Sequence, residues 1–326
     1  MRGDIKTIGW GDKSSLPVEN DPVRREAVVC RVVASPIREV LMGFLQHLDG
    51  LHAIAGLLVG LLVGLTGVGG GSLMTPVLVL LFGVNPTTAV GTDLLYASAT
   101  KTVGTAVHGW RATVDWQIMR RLAAGSLPAA GITLVVLSRL GAVSPHTQKV
   151  MVVALACMLL LTALTVFFQK PLLAYARRDK GDRAESRPLW PTVLLGALIG
   201  VAVSLTSVGA GAIGVTVLLV LYPKQPIAKI VGTDIAHAVP LTLLAGLGHW
   251  IIGDVNPVLL ANLLSGSIPG VVVGSLIATR ARDSALRVLL GSVLAISAWQ
   301  LYLKATSADK VKAKPEAAAT VAQRAS

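Results

Sequence analysis

Two apolar runs, residues 51–84 and 190–222, are too long to be single membrane helices, and each is interrupted partway along. At 1.5 Å per residue either would form a rod of about 50 Å, against a hydrocarbon core of roughly 30 Å. The first is broken by Thr66-Gly67-Val68-Gly69-Gly70-Gly71-Ser72 and the second by Thr206-Ser207-Val208-Gly209-Ala210-Gly211-Ala212. Six further runs, 88–108, 122–138, 149–168, 228–250, 258–278 and 286–303, each have the length of one crossing. Only 14% of the 326 residues are charged and 53% are apolar, with a mean hydropathy of +0.69. That excludes an ordinary water-soluble globule, which carries about 25% charged residues.

The coincident breaks expose an internal repeat. At an offset of 140, Gly56, Gly60, Thr66, Val68, Gly69 and Gly71 match Gly196, Gly200, Thr206, Val208, Gly209 and Gly211. After one inserted residue, Gly91-Thr92-Asp93 becomes Gly232-Thr233-Asp234, His108 becomes His249, and Gly125-Ser126-Leu127-Pro128 becomes Gly266-Ser267-Ile268-Pro269. Residues 1–50 then form a polar N-terminal extension, with an interfacial helix or an irregular segment near 37–51. The first membrane repeat is 51–168, a basic linker is 169–189, the second repeat is 190–303, and 304–326 is a mobile tail.

The +12 net charge comes from Lys and Arg spread over loops and tails with no aromatic interleaving. It therefore predicts membrane topology rather than nucleic-acid binding. Lys170, Arg177, Arg178, Lys180, Arg183 and Arg187 place the linker in the cytoplasm. The short loops agree with this if each interrupted run dips in and returns to its own side. A hairpin plus three crossings is an odd number, so the halves are expected to be inverted. The predicted fold class is thus an all-α integral membrane protein of two inverted repeats, each a broken-helix hairpin plus three transmembrane helices. Inverted repeats with broken helices characterise transporters.

Irregular backbone at membrane depth must be buried in protein or line a polar cavity. Short helices are expected to begin near Leu73 and Ile213. Their N-termini would present free amides and the positive end of a dipole. Candidate substrate contacts are therefore Thr66, Gly69, Gly70, Gly71 and Ser72, with Thr206, Gly209, Ala210 and Gly211 in the second copy. Gly56, Gly60 and Gly64 fit close helix packing better.

Lys101 is the one deeply placed cation and must face a cavity or a partner. It is a candidate anion ligand, or the structural partner of Asp93 two turns away. Asp93 and Asp234 are candidate proton carriers, or helix caps. His108 and His249 recur in both halves, which keeps a proton relay open. Pro128 and Pro269 are expected to kink their helices. Cys30 and Cys157 have neither disulfide nor metal spacing, and no resident cofactor is expected. An intramembrane enzyme built on these acids and histidines is disfavoured, because Asp and His lie about 22 Å apart along one helix.

The stretch from Gly60 to Pro76 (GLLVGLTGVGGGSLMTP), the following Ala89-Val90-Gly91-Thr92 and the weaker second copy resemble the sulfite exporter TauE/SafE family of permeases. The resemblance covers about Ala53 to Leu303. It departs at Ala210 and Ala212, which replace Gly70 and Ser72, and at Thr216, which replaces the repeat's proline. It implies a secondary transporter, often an exporter, of sulfur-containing anions such as sulfite or organosulfonates in the inner membrane. The implied partners are a small anion and the lipid bilayer, with a homo-oligomer left open. A cation exporter using the paired aspartates and a membrane sensor or scaffold are the rival functions.

Overall fold

A computed structural model describes residues 49–66, 71–110, 114–141, 144–178, 189–277 and 283–324. Among them are ten α-helices and no strand. The second long run is split where its glycines stand, and the first is described as two helices on either side of residues 67–70, which lie outside the described residues. In the first, α1 (Gly50–Thr66) is followed by α2 (Gly71–Leu80). In the second, α6 (Leu189–Thr206) is followed by α7 (Ala212–Leu221). The short helices begin one or two residues earlier than Leu73 and Ile213, the usual uncertainty of a helix end. The rest of the first half comprises α3 (Pro86–Trp110), α4 (Trp116–Leu140) and α5 (Pro145–Arg178). Its counterparts are α8 (Ile227–Ile252), α9 (Pro257–Ile277) and α10 (Asp283–Arg324).

Six helices, α4, α5, α6, α8, α9 and α10, are long and apolar enough to cross a bilayer. Their surfaces invert the soluble pattern. Leu276 and Ile251 are 72% and 86% exposed, while Asp93, Asp234 and His237 are essentially inaccessible. An environment of lipid accounts for both, since burial there is needed by the polar groups and not by leucine.

Glycines bring the two halves into backbone contact. A Cβ on Gly56, Gly60 or Gly64 of α1 would meet the backbone of Leu263, Ser267 and Val271 of α9. One on Gly125 of α4 would collide with Val193 of α6, and Gly196 and Gly200 of α6 lie against Leu122 and Ser126. These are the close approaches that small residues permit where no hydrophobic effect drives helices together. The numbers rise together in both interfaces, so α1 runs parallel to α9 and α4 parallel to α6. By contrast Gly91 lies against His249 and Asp254, and Gly246 against Leu95, so α3 and α8 are antiparallel.

The pairing is reciprocal throughout: the first helix of each half packs on the fourth of the other, α3 faces α8, and α5 faces α10. One apolar core joins α1, α2 and α5 with α9 and α10, and a second joins α3 and α4 with α6, α7 and α8. Each half thus completes the core of the other.

The second break shows why α6 stops. Ser207, Gly209 and Gly211 have φ of +59°, +127° and +137°, a region that glycine alone enters without penalty. The Thr206 hydroxyl donates to the Ala202 carbonyl and accepts the Val208 amide at 3.1 Å. It thereby satisfies part of the backbone that the broken helix leaves open.

Candidate functional site

Four polar contacts tie α3 and α8 to the opposite half, and they form two repeat-related pairs. The Asn256 amide donates to Thr92 Oγ1 at 3.2 Å, and the Asp115 amide to Thr233 Oγ1 at 2.8 Å. Deeper in, the Tyr96 hydroxyl meets Ser267 Oγ at 2.5 Å, and His237 Nε2 meets Ser126 Oγ at 2.8 Å. Tyr96 and His237 correspond at the offset of 141, as do Ser126 and Ser267. The third helix of each half is therefore clasped by the fourth helix of the other.

Between these clasps lies a buried charge cluster. Lys101, 6% exposed, is within electrostatic reach of Asp234, Asp93 and the His237 ring. Continuing the α3/α8 register sets Lys101 opposite residues near 240. Asp93 and Asp234 then lie on either side, about 21 Å apart along the helices at 1.5 Å per residue. One lysine therefore serves two acids from different halves. In Asp93, Oδ2 accepts the amide (3.2 Å) and hydroxyl (2.5 Å) of Thr75 on α2. Its Oδ1 has no hydrogen-bond partner, and neither does Oδ1 of Asp234, Nδ1 of His237 or Oγ of Ser207. Ser207 stands at the second break and lies against the Asp93 carboxylate with no aligned bond between them. Asp234 lies over Gly214 of α7, where a Cβ would strike the carboxylate.

The expected site residues distribute as follows. Lys101 lies between Asp93 and Asp234, within electrostatic reach of both, and Ser207 of the second break lies against Asp93. Thr206 spends its hydroxyl on the break's own backbone. Gly209 is buried, while Ala210 and Gly211 are partly accessible ahead of α7. Gly69 and Gly70 lie outside the described residues. Thr66 ends α1 and Gly71 and Ser72 open α2, but their side chains are not described, and the same holds for the His108 side chain on α3. His249 is fully buried and apart from the cluster. Its Nε2 donates to the Ser204 carbonyl at 2.9 Å, with Asp254 3.5 Å from Nδ1. This ties α8 to the end of α6.

Four contributors escaped the sequence reading: Thr75, Tyr96, Ser207 and His237. Tyr96 and His237 share the repeat offset but not their chemistry. Thr75 and Ser207 match Val215 and Gly67, so the repeat hides them.

Comparison with known proteins gives the family. The model of the sulfite exporter TauE/SafE family matches residues 52–301. The chain belongs to this family. A probable membrane transporter protein of Bacillus subtilis, YjnA, is 38% identical over 252 residues, covering 76% of this chain and 97% of that protein. A second from the same organism, YdhB, is 27% identical over 67% of this chain and 85% of its own length. A probable membrane transporter protein of Xylella fastidiosa strain Temecula1 is 25% identical over 69% and 83%. No solved structure matches. This TauE/SafE member is accordingly a multi-pass membrane transporter.

Outside the spanning segments, Asp115 caps α4 by accepting the amides of Gln117 and Ile118, and Lys229 stands 3.5 Å away. Its partial burial favours the neutral acid, but the amides of Ile118 and Gln117 and the Lys229 charge outweigh this and hold the group below the usual carboxylate range. A depressed folded-state pKa makes its contribution complete at neutral pH and lost as pH falls through the acid range. Asp115→Ala is expected to cost about 1 kcal/mol, read as a lower melting temperature in detergent at pH 7. The difference from wild type should shrink at strongly acid pH, and a constant difference would count against the charge.

Proposed function

We propose that this transporter moves small sulfur-containing anions, such as sulfite or organosulfonates, across the inner membrane. It acts as an exporter when the solute accumulates inside. The anion binds at the helix breaks, where the amides opening the short helices supply partial positive charge. Among the described residues, Lys101 supplies the one full positive charge in the buried cluster. The observation that carries this is the burial of Lys101 between acids of both halves, since an intramembrane cation costs at least about 2.5 kcal/mol and is kept where it handles charge.

Alternating access at this site follows if the two halves are inverted, a reading that the helix registers support. With α1 parallel to α9, α4 parallel to α6 and α3 antiparallel to α8, short loops leave each broken helix returning to its own side. Single cysteines tested in intact cells should separate by side: Asn85→Cys and Gly253→Cys labelled from outside, Lys224→Cys only after permeabilisation. External labelling at residue 224 would reject the inversion.

The function itself is tested in proteoliposomes loaded with sulfite, methanesulfonate, chloride or sodium. Downhill flux of the two sulfur anions, well above that of chloride, is expected. A protein that moves sodium and none of the anions would instead be a cation carrier built on Asp93 and Asp234.

A further inference from the structure

Three features meet at the second break. Asp93 is fully buried and has one oxygen held by two donors from Thr75, while its other oxygen has none. Ser207, 5% exposed, brings its hydroxyl against that carboxylate without an aligned hydrogen bond to it. The break then opens into the N-terminus of the ten-residue α7, preceded by the positive-φ glycines 209 and 211. The Ser207 hydroxyl is a donor suited to an oxyanion, and Asp93 Oδ1 is an acceptor without an aligned donor beside it. Two unprotonated oxygens facing each other in a buried site repel, and a buried acceptor without a donor is costly. A single proton between them removes both penalties.

We propose that the anion binds at the second break together with one proton, held between Asp93 Oδ1 and an oxygen of the anion, so that anion and proton cross the membrane one for one. This rests on the anion-transport function proposed above and names its coupling ion. The charge count agrees with it. Lys101 balances one of its two acids, and the added proton balances the other, so the arriving monoanion meets a neutral cluster. The remaining titratable groups around Asp93 are engaged elsewhere. Tyr96, on the same helix, is paired with Ser267. His249 of α8, alongside Gly91, is bonded to Ser204 and flanked by Asp254. For a monoanion such exchange is electroneutral, and direction follows the combined gradients of anion and proton.

Methanesulfonate is a suitable probe, because it stays singly charged across the usable pH range and any proton moving with it is the protein's. In proteoliposomes containing a trapped pH dye, an acid pulse outside should drive uphill uptake, approaching about tenfold accumulation per pH unit. The lumen should gain one proton per anion, with no response to an imposed membrane potential. In Asp93→Asn the side-chain carbonyl can keep the Thr75 donors while the amide replaces Oδ1 as a permanent donor. Downhill flux should then persist, accumulation should fall to onefold, and flux should become sensitive to membrane potential. Ser207→Ala should raise the half-saturating concentration several-fold and leave the proton ratio at one.

Wild-type flux with no lumenal acidification overturns the proton coupling and spares anion transport. Wild type that moves neither methanesulfonate nor sulfite overturns both. Coupling retained by Asp93→Asn but lost in Asp234→Asn overturns the assignment to the second break. The wild-type ratio decides the matter even if the Asn variant does not fold.

Discussion

Replacing Lys101 by Met should lower anion flux at least about a hundredfold, roughly 2.7 kcal/mol in the barrier, while the protein still inserts and purifies. The side chain is buried and shared electrostatically by Asp234 and Asp93. Its removal deletes the attraction for an anion and also leaves two buried acids without their cation. Breaking such a buried arrangement by removing one partner costs about 3–5 kcal/mol. Part of the defect should therefore be repairable by removing charge. Adding Asp234→Asn to Lys101→Met is expected to recover flux by about tenfold, because one surplus carboxylate is gone. Asp234→Asn alone should slow transport. Flux measurements on the four proteins form a double-mutant cycle. Additive effects would show that Lys101 and Asp234 act separately, and normal flux in Lys101→Met would remove the lysine from the site.

The second large effect is structural. A Cβ at Gly266 would fall on the Ala53 carbonyl oxygen and 2.9 Å from the Leu57 amide nitrogen, both backbone atoms of α1. No side chain can turn aside to make room, so Gly266→Val must push α9 away from α1 along the seam that also holds Gly56, Gly60 and Gly270. Overpacking costs about 1–3 kcal/mol and occasionally more, and backbone contact puts this site at the upper end. The expected result is a fall of about 10 °C in the melting temperature in detergent. Gly131→Ala, where nothing lies within 4 Å of the new Cβ, is the matched control and should leave stability unchanged or slightly raised. Equal melting of Gly266→Val and wild type would contradict the close α1/α9 contact.

Some of the site was visible in the residues themselves. Lys101 could be singled out because a cation inside an apolar helix must face a cavity or a partner. Only half of its environment was visible. Asp93 lies two turns away on the same helix, so simple spacing finds it, but Asp234 reaches Lys101 only because α8 crosses α3 antiparallel. The Tyr96–Ser267 and His237–Ser126 contacts join residues 171 and 111 apart, and no local periodicity signals such pairs. His249 shows the opposite case. Its recurrence in both halves kept a proton relay open, and the structure adds that Nε2 donates to the Ser204 carbonyl while Asp254 stands 3.5 Å from Nδ1.

What the chain by itself determined is its solvent, its duplication and its two interrupted apolar runs. Hydropathy, helix length and the conformational freedom of glycine act within a few residues of where they are written, so a linear reading reaches them. Tertiary structure alone decided which polar atoms meet and which stay unpaired. The first helix of each half packs on the fourth of the other, so Thr75, Asp93, Ser207, Lys101, Asp234 and His237 are assembled by crossings between halves. Those crossings depend on backbone contacts at glycines far apart in sequence. The energy of a buried charge depends on just such neighbours.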